Sequence, residues 1–114
     1  MRVLRHHGGL PLDLLAAWEM LENPVRTRVA CVGAPQVAEG LSRVCRALWG
    51  QEPEFVRPLS VWGGLTVAYA DPSRLGVDRW LALLAARRLL DQPVLVLDAG
   101  TAITYDLLLA DGRH

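Results

Sequence analysis

Residues 94–114 read VLVLDAGTAITYDLLLADGRH, and this stretch settles the class of fold. Val94 to Asp98 is an apolar run closed by a carboxylate, which suits a buried strand. Ala99-Gly100-Thr101 is a tight turn, Ala102 to Leu109 a second strand, and Ala110-Asp111-Gly112 another turn. A hairpin alone is not stable in water, so it must pack on what lies upstream. There, Pro11 to Glu22 reads as a helix, with Pro in its first turn and Leu12, Leu15, Trp18 and Leu21 at helical spacing; Asn23-Pro24 stops it. Arg26 to Gly33 reads as a strand whose apolar run, Val29 to Val32, suits a covered sheet. Pro35 opens a second helix through Trp49, with Val37, Leu41, Val44, Cys45 and Leu48 on one stripe and Gly50 at its end. Pro53 to Arg57 is a short strand, and residues 58–75 carry loop chemistry: Pro58, Gly63-Gly64, Pro72. A third helix runs from Gly76 to about Leu90 with Val77, Trp80, Leu81 and Leu84 as its apolar face. Strand–helix–strand order implies an α/β layer with a crossover.

Composition narrows the function. Of 114 residues, 52% are hydrophobic and 21% charged, which excludes a disordered tail. No apolar run reaches the length of a spanning helix, and Pro11 and Asp13 interrupt any signal-peptide core, so no membrane association is expected. Twelve basic residues balance twelve acidic ones, which argues against nucleic-acid binding. There is no lysine, so any phosphate contact must use Arg, a backbone N–H, a hydroxyl or a metal. Cys31 and Cys45 read as reduced core thiols, making a cytoplasmic protein the default. His6-His7 has no Cys or carboxylate at ligand spacing, so no structural metal is expected there. The four tryptophans are expected to pack in the core or at a dimer face.

Two constellations can carry chemistry. In YADPSRLGVDRW (residues 69–80), Gly76 stands where a helix begins, placing Asp78 and Arg79 in its first turn among outward-pointing N–H groups. The helix dipole favours the aspartate and disfavours the arginine, so Arg79 has another reason to be there. A solvated Asp–Arg pair at an ordinary helix start also fits. In the hairpin, Asp98 ends an apolar strand and needs a donor or cation; Gly100 permits close approach of a phosphate and Thr101 adds a hydroxyl. A turn in which Asp98 bonds its own backbone also fits. Asp106 shares a strand face with Thr104, and both cleft-facing and solvent-facing placements suit it.

Together these two motifs resemble type III pantothenate kinase: a Tyr, a Pro, then Leu-Gly-x-Asp-Arg-Trp, then Asp-x-Gly-Thr-Ala. The strong match covers about residues 69–114. The resemblance implies an actin-like ATPase fold of two ribonuclease H-like domains, with ATP and substrate in the cleft. It implies transfer of the ATP γ-phosphoryl to pantothenate, opening coenzyme A synthesis, with Mg²⁺ and a monovalent cation (K⁺ or NH₄⁺), in a homodimer. On that basis Asp78 is the general base; Tyr69, Gly76, Val77, Asp78 and Arg79 line the pantothenate pocket; Asp98 binds the monovalent cation; Gly100 and Thr101 contact ATP.

The family opens with a strand ending in Asp-x-Gly-Asn-(Thr/Ser), which this sequence lacks; Gly8-Gly9 is not that motif. It also continues past the position of His114. The chain is therefore read as residues 1–92 of a first ribonuclease H-like domain, bearing the pocket loop, and residues 93–114 as the first hairpin of a second. By itself it is expected to be catalytically dead or nearly so. Rival readings are an inactive family member serving as a binding or transcription accessory module, another kinase or phosphatase of the superfamily, and a relic. Translating the DNA on both sides of the frame separates these readings: a phosphate-loop strand upstream and a glycine-rich continuation downstream would make the chain part of an active kinase. Stop codons bounding the frame would instead reduce the kinase reading to ancestry.

Overall fold

A computed structural model describes residues 3–4 and 12–114, which fall into two compact units divided between residues 56 and 57. Pro11, His6-His7 and Gly8-Gly9 lie outside the described residues.

In the first unit, α1 (Leu12–Glu19) precedes β1 (Arg28–Val29), α2 (Pro35–Trp49) and β2 (Glu54–Phe55). The two strands are parallel, Arg28 opposite Glu54 and Val29 opposite Phe55, so α2 is the expected crossover. Helix α2 starts on Pro35 and ends on Gly50, whose φ of 63° lets its N–H reach the Arg46 carbonyl at 3.0 Å. Val37, Gly40, Val44 and Cys45 are its buried stripe; Leu41 and Leu48 are half-buried. The Trp18 and Trp49 rings stack at 5.2 Å, tying α1 to α2. Both cysteines are free, and burial pushes the Cys45 thiol up. The first strand is much shorter than the 26–33 expected, and Val32 is 66% exposed. The ladder itself explains this. Glu54 N–H bonds Thr27 O and Val56 N–H bonds Val29 O, both at 2.9 Å. The next donor in that series is residue 58, a proline with no N–H.

The second unit holds three paired elements. A hairpin of β3 (Val61–Trp62) and β4 (Leu65–Thr66) occupies the stretch expected to be loop. Its turn is Gly63-Gly64, with φ of 57° and 79°; two consecutive positive values match the strand twist and are readily reached by glycine. A single 3₁₀ turn, Pro72–Arg74, follows, capped by the Asp71 carboxylate, which accepts from the Ser73 N–H at 3.0 Å and its hydroxyl at 2.7 Å. Then come α3 (Val77–Leu89) and an antiparallel hairpin, β5 (Val94–Ala99) and β6 (Ile103–Leu108), registered from Val94 opposite Leu108 to Ala99 opposite Ile103.

Helix α3 packs on β4, β5 and β6. Its buried residues are Val77, Trp80 and Leu83, and Leu84 is half-buried; of the four residues expected on the inward face only Leu81 is exposed, its place being taken by Leu83. Leucine or alanine occupies all six positions from Leu81 to Ala86, so apolarity marks no single face there. Leu65, Leu75, Leu83 and Leu108 are fully buried and form the centre of this core. Strand β5 is covered on one side only: Leu95 and Leu97 are exposed where a buried strand was expected, as are Ile103, Tyr105 and Leu107. Among the described residues α3 packs on the hairpin, and side chains alternate across a strand, so every second residue faces away from it. Trp80 is buried as expected, but Trp62 is exposed.

The last residues lock onto β4. Thr66 N–H bonds Gly112 O at 2.8 Å and His114 N–H bonds Thr66 O at 2.9 Å. Gly112 has φ 88°, and a Cβ there would collide with the Gly64 carbonyl. Gly112→Ala is expected to lower the unfolding free energy by about 2 kcal/mol or more, from the left-handed backbone plus the collision. Gly100→Ala, with open space around it, is expected to stay within about 0.5 kcal/mol. Denaturant titration of both variants checks this docking.

Candidate functional site

The start of α3 is built by Gly76. A Cβ on Gly76 would lie 2.5 Å from Asp78 Oδ1, so glycine leaves room for the Asp78 carboxylate to fold back over the helix start. There Oδ1 accepts the Arg79 N–H at 2.8 Å, satisfying one of the helix's unpaired donors, while the carboxylate stays exposed. Val77 turns its side chain into the core, so only its main chain is available to a ligand.

Arg79 turns toward the sheet. Its Nε–H donates to Asp106 Oδ2 at 2.9 Å, and its Nη2 donates to Asp106 Oδ1, a two-pronged pair in which Asp106 is 4% exposed. His114 Nε2 reaches the same Oδ1 at 2.9 Å. An ionised carboxylate only accepts, so His114 donates. The hydrogen bonds from Arg79 hold the Asp106 carboxyl below its usual range, against burial and with help from His114. In return Asp106 pushes the Arg79 guanidinium up, with a smaller contribution from Tyr69. Tyr69, half-buried, sets its ring 6.0 Å from that of His114. The structure therefore brings Tyr69, Asp78 and Arg79 together at one helix start.

Asp98, Gly100 and Thr101 are exposed at the turn end of the hairpin. Gly100 N–H bonds Ala102 O at 3.0 Å, and nothing lies within 4 Å of the space a Cβ would take. Asp98 stands opposite Thr104, and Val96 opposite Asp106. Directly opposed residues share a sheet face, so Asp98, Thr104 and Asp106 lie on the α3 side, with Thr104 and Asp106 one strand repeat of roughly 7 Å apart. Three buried polar atoms in this unit lack a partner: Trp80 Nε1, Thr104 Oγ1 and His114 Nδ1. Asp98 and Thr104 offer oxygen donors only, which suits a hard cation. Among the described residues no three His, Cys, Asp or Glu side chains cluster as a metal site. The apolar hollows of the first unit, such as that lined by Leu14, Trp18 and Leu21, contain none of the expected residues.

Sequence reasoning left Asp106 undecided and passed over His114. Two signals pointed to the aspartate: an arginine where the helix dipole disfavours it, and a carboxylate two residues from Leu108 on one strand face.

The family model for type III pantothenate kinase matches residues 11–114. The chain belongs to the type III pantothenate kinase family. A relative of that name from Nitrosococcus oceani is 39% identical over 117 residues, covering 98% of this chain and 44% of the relative. One from Xanthomonas campestris pv. campestris is 44% identical over 108 residues, covering 95% and 43%. One from Dichelobacter nodosus is 36% identical over 104 residues, covering 90% and 42%. The chain thus spans less than half the length of these curated relatives. In this pantothenate kinase family member the matched span includes α3, the β5–β6 hairpin and His114.

Asp106→Asn is expected to lower stability by about 3 kcal/mol, because it leaves the Arg79 charge without its buried partner. The depressed carboxyl sets the sign. Its contribution is complete above the unfolded-state value, about 4, and is lost as pH falls through the lower folded-state value. Unfolding free energy measured against pH is expected to fall more steeply below about pH 4 in the unaltered protein than in the variant.

Proposed function

We propose that this chain serves ATP-dependent phosphorylation of pantothenate to 4′-phosphopantothenate, the entry to coenzyme A synthesis. The observation that carries the reading is the start of α3, where Gly76 admits the exposed Asp78 carboxylate beside an Arg79 locked by Asp106.

Phosphoryl transfer proceeds through a loose transition state, so catalysis is chiefly positioning and charge neutralisation. Asp78 orients the acceptor hydroxyl and takes its proton as the oxygen–phosphorus bond forms and ADP departs. Tyr69, the main chain of Gly76 and Val77, and Arg79 line the acceptor pocket. Gly100 and Thr101 meet ATP where the open turn permits close approach. Asp98, with Thr104 opposite it, is the residue that would hold K⁺ or NH₄⁺. That cation and Mg²⁺ supply charge neutralisation at the phosphates when bound. The fold reading is the actin-like ATPase architecture, with residues 1–92 in a first ribonuclease H-like domain and 93–114 opening a second. The working protein is a cytoplasmic homodimer. The mixed α/β elements support the fold, and among the described residues no helix is long and apolar enough to cross a membrane.

Asp78→Asn in the natural protein is expected to cut pantothenate-dependent ADP formation by about a thousandfold, the scale of a lost general base. Unchanged turnover in the variant, or none in the unaltered protein when it carries the phosphate-loop strand, refutes the assignment.

A further inference from the structure

We propose that Asp106 is a positioning residue for acceptor recognition: with His114 at its back, it clamps the Arg79 guanidinium so that only one edge faces the pocket beside Tyr69. The clamp rests on geometry alone; the identity of the acceptor rests on the pantothenate reading above.

A buried ion pair is a poor means of stabilising a core, since apolar residues of similar volume do as well or better. Asp106 nevertheless sits on the covered face of β6, two residues from fully buried Leu108, and its partner sits at a helix end whose dipole disfavours it. The pair does achieve orientation. Guanidinium carries five N–H donors in a rigid plane. Asp106 takes Nε–H and one from Nη2, which leaves three on the opposite edge. The Arg79 side chain is 25% exposed, so part of it remains open to solvent while its charge is already offset. Such an edge recognises an acceptor through several directed hydrogen bonds, as a group bearing amide, hydroxyl and carboxylate oxygens would offer. A lysine in its place has no fixed edge.

His114 completes the clamp. Its Nε2 fixes Asp106 Oδ1, and its own position is set by the His114 N–H bond to Thr66 O at 2.9 Å. Its ring lies against Tyr69, which also supports the Arg79 charge. Three further segments therefore gather around the Arg79 guanidinium of α3: the stretch before α3, β6 and, through Asp106, the residues after it.

The test compares Asp106→Asn, Asp106→Glu and, as a core-cavity control, Leu83→Ala in the natural protein. The Arg79 Nε–H resonance is followed by NMR, and KM for pantothenate is separated from kcat. In Asp106→Asn the resonance is expected to lose its protection from exchange. KM is expected to rise about tenfold to a hundredfold, the scale of a misplaced binding group, while kcat moves less. Asp106→Glu is expected to regain part of both, and Leu83→Ala, destabilised through packing, to move neither. A protected Arg79 resonance in Asp106→Asn overturns the proposal. So does an unchanged KM with Arg79 released, or an equal KM rise in Leu83→Ala. If the unaltered protein, carrying the phosphate-loop strand, turns over no pantothenate while the resonance still depends on Asp106, the substrate reading fails and the clamp stands.

Discussion

The bond between Arg79 and Asp106 links the two motifs of the second unit. It fastens the first turn of α3 to the middle of β6, elements brought together by the fold rather than by adjacency in the chain. A charge pair in that position is costly to desolvate, and it persists because each member answers the other. The arginine has no welcome from the helix dipole, and the aspartate has none from the apolar face on which it sits. Once paired, both are satisfied, and the start of α3 is held against the sheet in one orientation. Gly76 and Asp78 then have a defined surface on which to act.

The same geometry explains why the chemistry-bearing residues lie where they do. Helix α3 packs over one side of the β5–β6 hairpin, so the alternate residues Val94, Val96 and Asp98 face it together with Thr104, Asp106 and Leu108. Toward Leu108 and half-buried Val94 this face is covered and apolar; toward the turn it becomes polar and open. A gradient from packed core to exposed turn along one strand pair lets a rigid element carry reactive groups at its end. Gly112, pressed against the Gly64 carbonyl, closes the other end of the unit and sets the position from which His114 reaches Asp106.

Much of this was legible in the residues. Helix α2, with Pro35 to start it and Gly50 to stop it, was readable because both signals act locally on backbone geometry. The β5–β6 hairpin was readable for the same reason. The β3–β4 hairpin was missed although Gly63-Gly64 is a turn signal, because its strands are two residues each and show no periodicity. The extent of β1 was overestimated because the apolar run says nothing about its partner, whose Pro58 ends the ladder. On the inward face of α3, Leu81 was read in place of Leu83 because leucine and alanine fill every position from 81 to 86.

Local chemistry alone dictated where helices begin and end, which turns need glycine, and which short motifs carry carboxylate, guanidinium and hydroxyl groups. Those are properties of neighbours a few bonds apart, so they survive being read as text. The partner of Arg79, the burial of Asp106, the arrival of His114 behind it and the choice of covered face on β5 came from the fold. Each depends on residues 8 to 48 positions apart in the chain meeting in space, and no local pattern encodes a meeting that packing must arbitrate.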